Sequence, residues 1–249
     1  MPSLGSHLAR ARQLAARLAL PEVDADRGAF YLGATAPDIR VITRLDRAVT
    51  HFYDLKDFGD QDGVARMFEA HPALATPAGL DAATTAFIAG YLTHLVLDET
   101  FISEVYRPSF GAISPLKEDA KANVLDRALQ YEMDRRDRQD TSAMAEVRAA
   151  IEATVPVSGI PFIADEHLTQ WMTVSADVAG QPADFSRFRR MMVRHLEGAG
   201  YDAAAIDALS EDPDALIREA FEVVSEERLE RFWRDATDRM EARVRSYLR

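Results

Sequence analysis

The sequence predicts an all-α fold, with a single domain of many helices spanning residues 1–249. Apolar residues recur at three- and four-residue steps along most of the chain, whereas the alternation of apolar and polar residues that is typical of strands is hard to find. Prolines and glycines stand between the periodic segments, where helices end. No flexible linker or shift in composition divides the chain, and its 249 residues are enough for one substantial core.

Each helix is predicted from its own apolar stripe and end signals. The first segment runs from Leu4 to Ala19 and ends before Pro21, and a long apolar segment over 80–106 ends before Pro108. The other segments with helical periodicity are 61–71, 115–139, 142–154, 163–179, 184–197 and the longest, 212–249. Residues 33–60 are predicted to be mostly irregular, and irregular segments of helical proteins often carry functional sites.

The composition excludes several classes of protein. Cysteine is absent, which excludes disulfide frameworks, cysteine-ligated metals and thiol nucleophiles. No apolar run approaches the roughly 20 residues of a membrane-spanning helix, and the first residues lack the apolar core of a secretory signal. We therefore expect a cytoplasmic protein without a transmembrane segment. The net charge of −12 repels phosphate polymers, so no nucleic-acid partner is expected.

Two short windows carry the residues with the clearest chemistry. The first is Gly-Ala-Thr-Ala-Pro-Asp at 33–38, followed by Thr-His-Phe at 50–52, and the second is 90–98. On a helix, His94 and Asp98 of the second window lie one turn apart on the apolar side. A carboxylate in that position is destabilising unless it is paired or bound to a metal. The two residues are therefore either a buried ion pair or half of a site for zinc or a similar ion.

Three further candidates have a structural and a functional interpretation. His7 shares an apolar stripe with Leu4, where a histidine is commonly part of the core. Asp38 follows Pro37 and could cap the next turn. His51 could be an ordinary loop histidine. The residues taken singly leave these alternatives open.

As a set, these motifs resemble the zinc-dependent phospholipase C family, which is related to the S1/P1-type nucleases. The motifs are an opening Met-Pro-Ser-Leu-x-x-His, then Leu-Gly-Ala-x-Ala-Pro-Asp, Thr-His-Phe and Gly-Tyr-Leu-Thr-His-Leu-x-x-Asp. They cover residues 1 to about 105, and the remainder, 106–249, shows only a helical character. The resemblance implies an all-helical fold of the phospholipase C/P1 nuclease type, with a polynuclear zinc site that hydrolyses phosphoric esters.

The resemblance also implies roles for individual residues. Asp38, His51, His94 and Asp98 would bind one zinc ion. His7 and the bridging carboxylate of Asp98 would bind a second. Two zinc ions are therefore expected, with iron or another divalent metal as the alternative.

The chain departs from the family after this second window. The family's third zinc ion uses two more histidines and a glutamate, whereas no histidine lies between His94 and His167 here. One candidate replacement is Glu132, on the apolar face of the segment 115–139. The alternative for Glu132 is a carboxylate at the edge of the core, paired with a nearby arginine.

Two divalent ions roughly 3.5–4 Å apart can hold phosphate oxygens and a bridging water, and they lower the pKa of that water. Asp38 or Asp98 would accept its proton. The expected function is a metal-dependent hydrolase acting on a small phosphoester or a phospholipid. The alternatives are a metal-binding or scaffold protein of the same fold without efficient phospholipase activity, and a single-strand nuclease, which the net charge disfavours. The C-terminal stripe is expected to form core or the seam of a homodimer.

Overall fold

Helices are the only regular secondary structure in the part of the chain that the computed structural model describes. The described residues are 1–117, 119, 121–184 and 186–249, and of Met191 only the backbone is described. The prediction of an all-α fold is confirmed, and the helices share one hydrophobic core. Among the described helices, none combines the length and apolar character that crossing a bilayer requires.

The described residues form fifteen α-helices, two short 3₁₀ helices and one π-helical segment. The α-helices are α1 (Leu4–Leu18), α2 (Pro21–Asp24), α3 (Arg27–Gly33), α4 (Arg40–Thr43), α5 (Arg47–His51), α6 (Gly63–Ala70), α7 (Ala82–Phe101), α8 (Arg107–Ser109), α9 (Ala122–Asp137), α10 (Thr141–Ala153), α11 (Asp165–Ala179), α12 (Phe188–Gly198), α13 (Ala203–Glu211), α14 (Asp214–Val223) and α15 (Glu226–Tyr247). The 3₁₀ helices are Ala36–Ile39 and Pro72–Leu74, and the π-helical segment Ile102–Tyr106 continues α7.

The helix predicted to open at residue 115 begins only at Ala122. Before it, the Ser114 hydroxyl and the Asp119 carboxylate each accept a hydrogen bond from the backbone N–H group two residues further on. Such bonds offer the backbone an alternative to the helix, and they stabilise turns instead. The start of this predicted helix was therefore wrong by about two turns.

Two other predicted segments also differ from the structure. The C-terminal segment 212–249 divides into α14 and α15, because Ser225 is extended and its hydroxyl caps α15. The segment 33–60 contains more helix than expected, with α4, α5 and a 3₁₀ turn before its irregular part begins. These short helices place two of the candidate residues.

α7 lies at the centre of the fold and is buried on nearly every side. A helix that is apolar all round belongs in a core, and the most extensive contacts of α7 are with α3 and α15. Phe101 of α7 meets Phe232 of α15 edge to face, with ring centroids 5.6 Å apart. The apolar stripe of α15 is thus part of the core of its own chain, and a homodimer through this helix stays a prediction.

Two glycines allow α3 and α7 to touch through their backbones. A Cβ atom on Gly33 would lie 2.0 Å from the carbonyl oxygen of Phe87, and one on Gly90 would lie 1.9 Å from the carbonyl oxygen of Phe30. Both distances are far below van der Waals contact, so only glycine fits at either position. This close approach brings the end of α3 against the turn of α7 that carries His94.

Candidate metal centre

The five histidine and aspartate side chains predicted in residues 1–105 meet at one place in the fold. They come from four separate segments: α1 carries His7, the 3₁₀ helix carries Asp38, α5 carries His51, and α7 carries both His94 and Asp98. His7 of α1 and His94 of α7 are 87 positions apart in the sequence, so this convergence is a property of the fold rather than of one motif.

Buried hydrogen bonds fix the two segments that lie outside the long helices. Trp171 of α11 donates to the Thr35 hydroxyl over 3.2 Å, just before the 3₁₀ helix. The Tyr91 hydroxyl of α7 donates to the carbonyl oxygen of Thr50, the residue before His51. Short segments of this kind are held by such tertiary bonds, since they are too short to be stable alone.

The side chains form two groups that share His94. One group is His7, His94 and Asp98, and the other is Asp38, His51 and His94; within each group the potential ligand atoms lie within 4.8 Å of one another. Asp98 also reaches both groups. Its Oδ1 is 3.4 Å from Nε2 of His7, and its Oδ2 is 3.4 Å from Nε2 of His51.

The spacing of these atoms is that of ligands around a small ion. Two atoms that each lie about 2.0–2.1 Å from a tetrahedral zinc ion are about 3.3–3.4 Å apart. Nε2 of His94 is 3.3 Å from Nε2 of His51 and 3.6 Å from Oδ2 of Asp98, and Oδ1 of Asp38 is 3.5 Å from Nε2 of His51. The donor set of imidazole nitrogens and carboxylate oxygens is also the one zinc prefers where cysteine is absent.

Two of the buried atoms have no hydrogen-bond partner among the described residues. They are Nε2 of His7 and Oδ1 of Asp98, which face each other across 3.4 Å. An unsatisfied buried nitrogen and oxygen are destabilising when nothing lies between them. Both atoms therefore fit a shared metal ion.

Hydrogen bonds orient two imidazoles toward the site. Nδ1 of His94 lies 2.9 Å from the carbonyl oxygen of Ala34 and can only donate to it. That bond leaves the lone pair of Nε2 free for a metal, which is the usual arrangement of a zinc-ligating histidine. In His51, Nδ1 lies 3.1 Å from the Thr50 hydroxyl, and Nε2 again faces the site.

The electrostatics of the metal-free site favour the metal-binding protonation state at three of the residues, but not at His94. Burial opposes the charging of His94, yet the charge of Asp98 raises its pKa, so a metal ion would displace a proton from Nε2 of this imidazole. Burial, and next the charge of His94, lower the pKa of His7 to about 4, so this imidazole is neutral at pH 7. Burial opposes ionisation of Asp98, but the charge of His94 and the close approach of the neighbouring imidazoles hold its pKa well below the usual range. Burial likewise opposes ionisation of Asp38, and the hydrogen bond from His51 and the charge of His94 still lower its pKa. Both carboxylates are ionised at neutral pH.

Asp38 is the ligand candidate that faces the outside. Its side chain is 22% exposed, whereas those of the other four residues are at most 3% exposed. Asp38 lines a cavity of about 380 Å³ that runs between the start of α1, α9 and α12. A small molecule in this cavity can reach the Asp38 side of the centre.

Arg47, which none of the sequence motifs includes, also lies at the candidate centre. Its Nη2 donates to Oδ2 of Asp98 over 2.9 Å, and its side chain is only 12% exposed. Nε and Nη1 of the same guanidinium are buried without a hydrogen-bond partner among the described residues. The sequence contains one indication of this position: Arg47 stands four residues before His51, and residues with this spacing lie on the same side of a helix.

Glu132 is not part of either group, and the expectation that it replaces a missing ligand has to be corrected. Its Oε2 accepts from Nε of Arg135 at 2.7 Å, and its Oε1 accepts from Nε of Arg136 at 2.6 Å. Burial opposes its ionisation, yet these two guanidinium groups lower the pKa of Glu132. The pairing with arginine at the edge of the core explains this residue, because both of its oxygens are used.

We compared the chain with models of protein families, with curated proteins and with solved structures, and none of the three comparisons gave a match. A proposal for the function of this chain therefore has to be argued from the arrangement of its side chains.

Proposed function

We propose that this chain is a metal-dependent hydrolase of phosphoric esters of the phospholipase C type. The observation that carries the proposal is the pair of His/Asp groups that overlap at His94 and Asp98, with ligand atoms 3.3–3.6 Å apart. Two zinc ions are the proposed occupants, with iron or another divalent metal as the alternative. When bound, two such ions would act as Lewis acids on phosphoryl oxygens and lower the pKa of a water.

The residues of the two groups would hold the metal ions, and one of them would also accept a proton from water. His7, His51 and His94 would each hold an ion through Nε2, and Asp98 would use one oxygen toward each ion. Asp98 accepts from Arg47 and would use both of its oxygens toward the ions, so it is less suited than Asp38 to accept a proton from water. Asp38 is ionised and partly exposed to the cavity. We therefore assign Asp38 as the proton acceptor.

The position of Arg47 is an argument for a negatively charged substrate. One of its nitrogens is used by Asp98, whereas Nε and Nη1 are buried donors that have no partner among the described residues. A guanidinium binds two oxygens of a phosphoryl group in a planar fork, and such charge-assisted bonds are stronger than neutral ones. The charge that develops on phosphoryl oxygens in the transition state would be stabilised here.

The test combines a metal analysis with an assay. The purified protein, dialysed against zinc, is expected to hold about two ions per chain and to release p-nitrophenol from a p-nitrophenyl phosphodiester. His94→Ala is expected to lose both properties, because His94 belongs to both groups. His167→Ala, which changes a histidine outside both groups, is the matched control and should behave as wild type.

The outcomes separate the alternatives. Two ions without hydrolysis of any phosphodiester or phosphomonoester in a panel would favour a metal-binding or scaffold protein of the same fold. Absence of stoichiometric metal would overturn both. Hydrolysis of single-stranded nucleic acid in preference to small esters would favour the nuclease, which the net charge of −12 opposes.

A further inference from the structure

The cavity beside Asp38 has a charge opposite to that of the chain as a whole. Four arginines and two aspartates are among the residues that line it, in a protein whose net charge is −12. The arginines are Arg40, Arg127, Arg138 and Arg187, and the aspartates are Asp38 and Asp134.

Among the described residues, Arg138 is the one arginine of this set that forms an ion pair with a carboxylate. Nε of Arg138 donates to Oδ2 of Asp134 over 2.8 Å, and Nη1 of Arg138 donates to the carbonyl oxygen of Gln181 over 2.7 Å. Asp38 is ionised and also lines the cavity, so the four arginines and two aspartates together leave a net of two positive charges.

The other three arginines have no carboxylate partner among the described residues. Nη1 of Arg127 donates to the neutral amide oxygen of Gln130 over 2.8 Å, and its Nε is buried without a partner in the described structure. Within the same described residues, Arg40 and Arg187 form no ion pair. A concave site lined by unpaired cations focuses a positive potential, which attracts an anion.

The size of the cavity limits the size of the ligand that carries the anionic group. About 380 Å³ is at the small end of ligand pockets, and it suits a small molecule rather than a polymer. Asp38 and the arginines line the same cavity, so a single ligand in it could contact both. We propose that the substrate is a small phosphoester whose alcohol part carries a second anionic group, a carboxylate or a phosphate, which binds to Arg127 and Arg187.

This inference rests on the proposed function for the position of the phosphoester, but its test does not require turnover. Two phosphonates are compared by isothermal titration calorimetry on the zinc-loaded protein: 3-phosphonopropanoate, which has a carboxylate, and propylphosphonate, which lacks it. A carboxylate held by guanidinium groups is expected to tighten binding by about tenfold. Arg187→Gln is expected to remove most of this preference and to leave the affinity for propylphosphonate unchanged.

Arg189→Gln is the matched control. Arg189 lies two residues further on, in α12, is exposed, and pairs with Asp207, neither of which lines the cavity. It should keep the full preference for 3-phosphonopropanoate. Equal affinities of wild type for the two phosphonates, or a preference that survives in Arg187→Gln, would overturn the inference.

The two proposals fail in different ways. A preference for 3-phosphonopropanoate in a protein that hydrolyses no phosphoester would support the anion site and overturn the hydrolase. Hydrolysis of a p-nitrophenyl phosphodiester without any preference for an anionic tail would support the hydrolase and overturn the anion site.

Discussion

The imidazole rings of His7 and His94 stack face to face, with centroids 3.8 Å apart and planes inclined by only 7°. The contact joins α1 to α7, and both rings direct Nε2 toward Asp98, at 3.4 Å and 3.6 Å. Two stacked imidazolium ions would repel each other strongly, so one ring stays neutral, in agreement with the lowered pKa of His7. The stack therefore presents a neutral nitrogen to Asp98 from α1.

His7→Ala is expected to lower the zinc content from about two ions to about one. The Asp38, His51 and His94 group keeps all its ligands in this variant, whereas the other group loses one of three. Phosphoesterase activity should be lost, because activation of the water needs both ions. Elemental analysis and circular dichroism would check this. A folded His7→Ala protein that keeps two ions would contradict the two-ion centre.

Arg47→Gln is expected to destabilise the metal-free protein more than the zinc-loaded one. Without the guanidinium, Asp98 loses a cation in a buried site, which costs about 3 kcal/mol when nothing replaces it. A bound ion would supply that charge. Thermal unfolding with and without zinc measures the difference.

Arg12→Gln is the control for this prediction. It removes an exposed pair with Glu146, which is worth at most about 1 kcal/mol, with or without zinc. If zinc does not reduce the destabilisation caused by Arg47→Gln, the ion does not bind at Asp98.

Gly90→Ala is expected to destabilise the fold by about 3 kcal/mol, at the upper end of the range for overpacking. The new methyl group would lie 1.9 Å from a carbonyl oxygen of α3, where the backbone has no room to move. Gly198→Ala in α12 meets no atom within 4 Å, and it should be neutral or stabilising by up to about 1 kcal/mol. Chemical denaturation of both variants would check the contrast, and equal effects would argue against the close crossing.

The contribution of Glu99 to the stability of the protein is expected to fall as the pH rises from about 4.5 to about 7. Burial raises the pKa of Glu99 from 4.5 to about 7, although the backbone N–H of Gly63 donates to its carboxyl. The folded state thus keeps a proton that the unfolded chain releases, so the contribution is greatest below pH 4.5 and is lost by about pH 7. Glu99→Gln should be more stable than wild type by about 1–3 kcal/mol at pH 8 and equal to it at pH 4.

Thermal unfolding of wild type and Glu99→Gln from pH 4 to pH 8 measures the difference in their stabilities. Glu69→Gln, which changes an exposed glutamate of α6, is the control and should follow the wild-type profile. A constant difference between Glu99→Gln and wild type at every pH would show that Glu99 does not titrate in this range.

The pattern of the sequence was enough for the long helices, and the resemblance of its motifs indicated the five residues of the candidate centre, which the fold brings together. α1 and α7 have stripes or runs of apolar residues whose period depends only on neighbours along the chain. The centre could be anticipated because His94 and Asp98 lie on the apolar side of one helix, where a charge needs a partner.

The remaining features depend on contacts between distant segments. Glu132 lies on an apolar face, as a buried ligand would, and only the fold shows that two arginines of its own helix use both its oxygens. Arg47 lies in a segment that was predicted to be irregular, so its helical relation to His51 was hidden. The group that orients His94 is the backbone carbonyl of Ala34, and a backbone contact of this kind cannot be read from the type of side chain.

The crossing of α3 and α7 has an internal symmetry. A Cβ on Gly33 would meet the carbonyl oxygen of Phe87 and the amide nitrogen of Tyr91, and a Cβ on Gly90 would meet the same two atoms of Phe30 and Ala34. The two helices therefore exchange equivalent contacts about a local two-fold axis. A shift of either helix by one residue would break both halves together, so the crossing has a single register. In related chains we expect these two positions to covary, since a side chain at one of them would already separate the helices and release the other.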